Sequence, residues 1–198
     1  MTPEVSRICQ ALFLDRDGVI NVDSGYVHRT EDFQFLDGIF DIARDARRLG
    51  FEIIVVTNQS GIGRGYYTED QFFELTRWML ERFAEAGAPL TAVYHCPFHL
   101  DARVSKFAIA DHPWRKPNPG MLMAAAENHG VSLEHSLLIG DRASDLRAAI
   151  SAKLAMCCLV GDHMNIPPDL ENTALVTVPS VLALSAKFKD LLADLKQP

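Results

Sequence analysis

Apolar and polar positions follow two rhythms along this chain. Short continuous apolar runs occupy Ala11 to Leu14, Ile53 to Val56, Ala92 to Tyr94, Ser136 to Ile139 and Ala155 to Val160, each bounded by polar or glycine-containing turns. They have the length of strands, and their lack of alternation predicts strands buried on both faces. Between them apolar residues recur at helical spacing. In the clearest case, Thr68 to Ala86, Phe72, Leu75, Met79 and Phe83 form one stripe, Thr68 and Gln71 form a capping box, and Gly87 marks the end. Similar patterns predict helices over Asp37 to Leu49, Asn118 to Asn128 and Ser144 to Lys153. A last one, Val181 to Leu195, carries Leu184, Phe188, Leu191 and Leu192 on one side, a face suited to packing on the body of the protein. Strands that alternate with helices predict an α/β fold: a doubly wound, mostly parallel sheet in a three-layer sandwich, formed by a single domain over residues 1–198.

Composition narrows the class of partner. The chain has 198 residues, 48% of them hydrophobic, and a formal charge of -7, which disfavours nucleic acid as a ligand. The four cysteines, Cys9, Cys96, Cys157 and Cys158, show no disulfide-framework spacing. Met1 to Gln10 lacks the apolar core of a signal peptide, and no run has the length of a membrane span. A cytoplasmic monomer with no membrane partner is expected.

In an open parallel sheet, ligands bind beyond the carboxyl ends of the strands. The first strand is followed by Asp15-Arg16-Asp17-Gly18, the second by Thr57-Asn58-Gln59-Ser60-Gly61, and the fourth by Gly140-Asp141-Arg142 with Asp145 one helical turn further on. Any one of these segments is ordinary turn chemistry. Three at one sheet edge, with Arg115-Lys116-Pro117 ahead of a helix, make a shared site the better account. Phosphoryl transfer needs a nucleophile, positive charge for the equatorial oxygens and a proton donor for the leaving group. Clustered carboxylates at Asp15 and Asp141 call for a hard cation such as Mg²⁺, and Lys116 with Arg115 offsets further negative charge.

These segments resemble the four motifs of the haloacid dehalogenase superfamily: Asp15-x-Asp17-Gly18, Thr57, Lys116, and Gly140-Asp141 with Asp145. The string Phe13-Leu14-Asp15-Arg16-Asp17-Gly18-Val19-Ile20-Asn21, with Thr57 to Ile62 and Arg115-Lys116-Pro117, is similar to the D-glycero-D-manno-heptose 1,7-bisphosphate phosphatase branch and the related histidinol phosphatases. The resemblance implies a Rossmann-like fold and two-step catalysis, with Asp15 as nucleophile and Asp17 as acid and then base. It implies Mg²⁺ held by Asp15, the main-chain carbonyl of Asp17, and Asp141. Thr57 and Lys116 would bind the transferring phosphoryl group and Arg115 would steady the substrate. Asp23, Ser24, Gly25 and Tyr26 would line the pocket with Asn58, Gln59 and Ser60, and Arg142 stands where the branch often has Lys.

The short stretch between Asp15 and Thr57 leaves no room for a large cap domain. Zinc-bearing members of the branch carry Cys-x-His and Cys-x-Cys on the loop after the third strand. This chain has Cys96-Pro97-Phe98-His99 and His112-Pro113-Trp114 there, so zinc is not expected even with His95, His99 and His112 nearby. Lys153 occupies a helix-end position where relatives often have Gly. Histidinol phosphate, or another small phosphate ester, remains an alternative substrate. A phospho-accepting signalling module and a polynucleotide-end phosphatase are alternatives from other classes; the first is disfavoured by Asp17 and the second by the net charge.

Overall fold

The computed structural model describes residues 8–161, 166 and 175–194. Most of Met1 to Gln10, and Leu195 at the end of the expected last helix, therefore lie outside the described residues. Six parallel strands form one sheet: β1 (Gln10–Leu14), β2 (Phe51–Asn58), β3 (Ala92–Cys96), β4 (Leu137–Gly140), β5 (Met156–Val160) and β6 (Leu175–Val178), in the order β3-β2-β1-β4-β5-β6. The helices are α1 (Ile39–Arg48), α2 (Ser60–Arg64), α3 (Glu69–Glu85), α4 (Gly120–His129), α5 (Ala143–Ser151), α6 (Val181–Ser185) and α7 (Phe188–Asp194).

The unbroken apolar runs are explained by two cores, one on each face of the sheet. Leu12, Leu14, Ile53, Val55, Leu137 and Ile139 point into one core with residues of α1, α3, α6 and α7. Ala11, Phe13, Ile54, Val56 and Leu138 point into the other with residues of α4 and α5. Alternate side chains of one strand thus reach opposite layers, and both are buried. The fold is the expected doubly wound α/β sandwich, all parallel among the described strands. None of the described helices is long and apolar enough to cross a membrane.

Element boundaries show where local signals yielded to packing. The capping box at Thr68 is present in full: Thr68 Oγ1 accepts from Gln71 N (3.2 Å) and Gln71 Oε1 accepts from Thr68 N (2.9 Å). The helix expected from Asn118 begins instead at Gly120, because the Asn118 amide is committed to the preceding loop, donating to Asp111 (2.6 Å) and to the His112 carbonyl (3.1 Å). The single helix expected from Val181 is two, broken at Ala186 and Lys187, where Lys187 N donates to Leu184 O (3.1 Å) in a tight turn. Leu184, Phe188 and Leu192 all lie in the core, in two helices that contact α1. β6 and α2 had no counterpart in the sequence pattern: β6 is a four-residue edge strand paired only with β5, and α2 is a five-residue turn rich in glycine. Lys153 takes a left-handed backbone (φ 58°), the conformation that favours glycine at a helix end.

Strand order reverses between β1 and β4, so their carboxyl ends diverge and open a crevice. Between β1 and β2 the chain forms only a short 3-10 turn (Thr30–Asp32) and α1, leaving the crevice uncapped from that side.

Phe83, fully buried on α3 against Phe35 and Phe40, anchors the first core. Phe83→Ala should cost about 3–5 kcal/mol and Thr68→Ala about 1 kcal/mol in urea unfolding, and a reversed ranking would contradict this assignment of core and cap.

Candidate active site

β1 ends by delivering Asp15 into the crevice, with Asp15 N donating to Ile139 O of β4 (2.9 Å). Its Oδ1 accepts from the Arg16 amide (2.7 Å) and lies 2.9 Å from Lys116 Nζ. Lys116, 3% exposed, also reaches Asp145 Oδ1 at 2.5 Å and donates to Val56 O at 2.9 Å. Asn58 fixes the loop that carries the lysine. Its Oδ1 accepts from Lys116 N (3.1 Å) and its Nδ2 donates to Lys116 O (3.0 Å). Two glycines permit the close approach. A Cβ on Gly18 would lie 2.3 Å from Asp141 Oδ2, and one on Gly140 would lie 2.3 Å from the Asp145 Cβ.

Asp17 is clasped rather than free. Arg16, 1% exposed, folds its guanidinium onto the neighbouring carboxylate through Nε (3.2 Å) and Nη2 (2.9 Å), and Nη2 also donates to Val27 O (2.7 Å). Asn21 Nδ2 donates to Asp17 Oδ1 (3.0 Å) and Gln59 Nε2 to Oδ2 (2.9 Å).

A cavity of about 420 Å³ opens over these groups. Of the residues expected from the sequence, Asp15, Asp17, Asp23, Gly25, Tyr26, Thr57, Asn58, Gln59, Ser60, Arg115, Lys116 and Arg142 line it. Ser24 is exposed and does not. Arg115 is steered by the Phe98 carbonyl (3.1 Å), and Arg142 pairs with Asp23 (2.7 Å) at the exposed rim. Sequence reasoning missed Gly61, Tyr67 and Ser144 in the wall, and Arg16 as the clasp of Asp17. An arginine between two motif aspartates carries no local sign that it is buried.

Electrostatics single out a cation site. Carboxylate oxygens of Asp15, Asp141 and Asp145 lie within 4.8 Å of one another. Burial first, and then the mutual repulsion of these groups, raises the Asp15 carboxyl to about 7 against the pull of Lys116. Burial, with Asp145 next, raises Asp141 to about 6. Burial alone would lower the Lys116 ammonium, but Asp145 and Asp15 outweigh it and hold the group protonated. Asp141 Oδ1 is buried without a hydrogen-bond donor, whereas Asp145 is already engaged by Lys116 and by Arg142 N (3.0 Å). A crowded set of hard oxygens with one orphaned acceptor fits Mg²⁺.

On the loop after β3, His112 stacks on Phe98 (3.6 Å, 6° between planes) and His99 meets Arg64 Nη2 (3.1 Å), while within β3 His95 packs on Phe72 (4.3 Å). Cys96 is buried at the strand end.

A protein-family model for HAD-hydrolase-like proteins matches residues 113–180. A D-glycero-alpha-D-manno-heptose-1,7-bisphosphate 7-phosphatase from Burkholderia mallei is 51% identical over 154 residues, covering 78% of this chain and 81% of that protein. The chain belongs to the heptose bisphosphate phosphatase family of HAD-like hydrolases. A family member from Escherichia coli K12, named for the beta anomer, is 44% identical over 186 residues, covering 93% of this chain and 96% of its own. The solved structure of the D,D-heptose 1,7-bisphosphate phosphatase from B. bronchiseptica, complexed with magnesium and phosphate, superposes with a TM-score of 0.77 at 25% identity, covering 93% of this chain and 99% of that one. Like other members, this chain is a phosphoric monoester hydrolase.

Folding raises the affinity of Asp15 and Asp141 for protons, so without a cation their contribution to stability is lost as pH rises from 3.8 towards about 7. A bound divalent cation relieves that repulsion but must displace the same protons. Mg²⁺ should therefore raise the melting temperature more near pH ~8 than near pH ~5.5; a larger gain at the acidic pH in thermal melts would refute the assignment of these carboxylates as ligands.

Proposed function

We propose that this protein is a Mg²⁺-dependent phosphatase that removes the 7-phosphate of D-glycero-D-manno-heptose 1,7-bisphosphate through an aspartyl-phosphate on Asp15. The observation that carries this is the meeting of Asp15, Asp17, Thr57 and Lys116 in one cavity, beside the Asp141 carboxylate. Relatives named for this reaction across most of the chain support the substrate.

The groups present divide the work. Asp15 Oδ1 is occupied by the Arg16 amide and Lys116, which leaves Oδ2 to attack phosphorus. Lys116 and the Thr57 hydroxyl hold the transferring oxygens, and Arg115 stands at the cavity wall for further negative charge. As the new Asp15–phosphorus bond forms, the bond from phosphorus to the sugar oxygen breaks, and Asp17 gives that oxygen a proton. Asp17, now a carboxylate, takes a proton from water as it attacks the acyl-phosphate; phosphate leaves and Asp15 is restored. Mg²⁺ bound by Asp15, Asp141 and the Asp17 carbonyl would offset the charge of the phosphoryl oxygens and of the crowded carboxylates. Asp23, Gly25, Tyr26, Ser60 and Arg142, which line the cavity, would receive the rest of the sugar bisphosphate. The enzyme would work in the cytoplasm, where its four unpaired cysteines stay reduced.

Phosphate release should be measured with both anomers of the heptose bisphosphate, histidinol phosphate and a panel of sugar phosphates. Turnover of at least one anomer well above the panel is expected; none from either anomer, with good turnover elsewhere, would sink the heptose assignment. Asp15→Asn should lower turnover by about 10³-fold or more while the melting curve persists, and retained turnover would refute the nucleophile. Chelation should silence the wild type until Mg²⁺ is restored.

A further inference from the structure

Gln59 is 2% exposed, yet its amide sits between two groups of the proposed chemistry. One side-chain nitrogen, Nε2, donates to Asp17 Oδ2 (2.9 Å) and to Thr57 Oγ1 (2.8 Å), which uses both of its hydrogens. The other end is also committed: Gln59 Oε1 accepts from the hydroxyl of Tyr67, a residue 5% exposed. Burial raises the Tyr67 hydroxyl well above its ordinary value, so it remains a donor at any working pH. With Oε1 held by Tyr67, the amide cannot turn its oxygen towards the Asp17 carboxylate, where two acceptors would repel. The Tyr67 ring is in turn stacked on His28 (5.0 Å, 3° between planes), and Gly61 leaves room for it, since a Cβ there would meet the ring at 2.2 Å.

Two consequences follow for the reacting groups. Thr57 Oγ1 already accepts from Gln59, so its own hydrogen is directed elsewhere, towards the cavity that Thr57 lines. Among the described residues, Asp17 Oδ1 accepts from Arg16 Nε, Arg16 Nη2 and Asn21, whereas Oδ2 accepts only from Arg16 Nη2 (3.0 Å) and Gln59. Oδ2, with fewer donors, is the oxygen better able to exchange a proton with the leaving group, and Gln59 helps to set its direction. We propose that Gln59, held by Tyr67, is a positioning residue that orients Asp17 for proton transfer and Thr57 for phosphoryl binding, rather than a contact for the sugar.

This rests on the phosphatase reading in which Asp17 is the acid. A series of substituted phenyl phosphates isolates the role, because these esters carry no sugar and differ only in how much the leaving oxygen needs a proton. The full chain with Mg²⁺ is compared with Gln59→Leu, and with Gln59→Met should the first variant fail to fold. Loss of Thr57 orientation should lower kcat/KM for every ester, and loss of Asp17 orientation should lower it about tenfold further for phenyl than for 4-nitrophenyl phosphate, steepening the dependence on leaving-group basicity. An equal fall across the series, as a structural defect would give, overturns the proposal. So does an unchanged series, which would leave Gln59 a sugar contact at most. Failure of the phosphatase reading itself appears differently, as absence of turnover by the wild type on all phosphate esters, and would remove this role with it.

Discussion

The buried ammonium of Lys116 is the interaction on which the arrangement depends. It lies between Asp15 at the end of β1 and Asp145 in the first turn of α5, 2.9 Å and 2.5 Å away, and caps the Val56 carbonyl of β2. A buried charge without such partners would be costly, and each carboxylate would be equally costly without the lysine. One cation therefore ties two strands, α5 and the loop before α4 to a single point. The balance is incomplete, because three carboxylates face one ammonium. Burial, and then that remaining negative charge, raises Asp15 and Asp141, and the cluster becomes a receptor for a divalent cation.

The scaffold makes this crowding tolerable. Strands buried on both faces present their ends rigidly, and the reversal of strand order beside β1 provides the crevice without any inserted domain. Gly18 and Gly140 let the Asp141 and Asp145 side chains approach the neighbouring backbone more closely than a Cβ would allow. Around Asp17 the device is different. Arg16, Asn21 and Gln59 surround the carboxylate with donors from three directions, so its position is over-determined before any ligand arrives.

The site wall combines rigid and adjustable parts. Asn58 and Lys116 exchange hydrogen bonds through backbone and side chain, which makes Asn58 a support for the lysine loop as well as a lining residue. At the rim, Arg142 and Asp23 form an ion pair in contact with solvent, where the interaction is weak enough for an anionic group to compete. The loop after β3 is organised by the ring stack of His112 on Phe98 and by the Arg115 guanidinium on the Phe98 carbonyl.

By itself the sequence determined the α/β class, five of the six described strands, the long capped helix and the motif residues of the site. Each of these rests on local information: an apolar run long enough for a strand, a capping box, or carboxylates and glycines at a strand end. The edge strand β6 was decided by tertiary contact, since it exists only through its pairing with β5, whereas the break between α6 and α7 and the late start of α4 follow from hydrogen bonds over a few residues that the apolar periodicity does not show. Tertiary structure also decided the places of Arg16 and Tyr67. An arginine and a tyrosine look like surface residues in a string of letters, and only the folded chain shows that both are buried, with Asp17 and Gln59 as the partners that satisfy their hydrogen bonds internally.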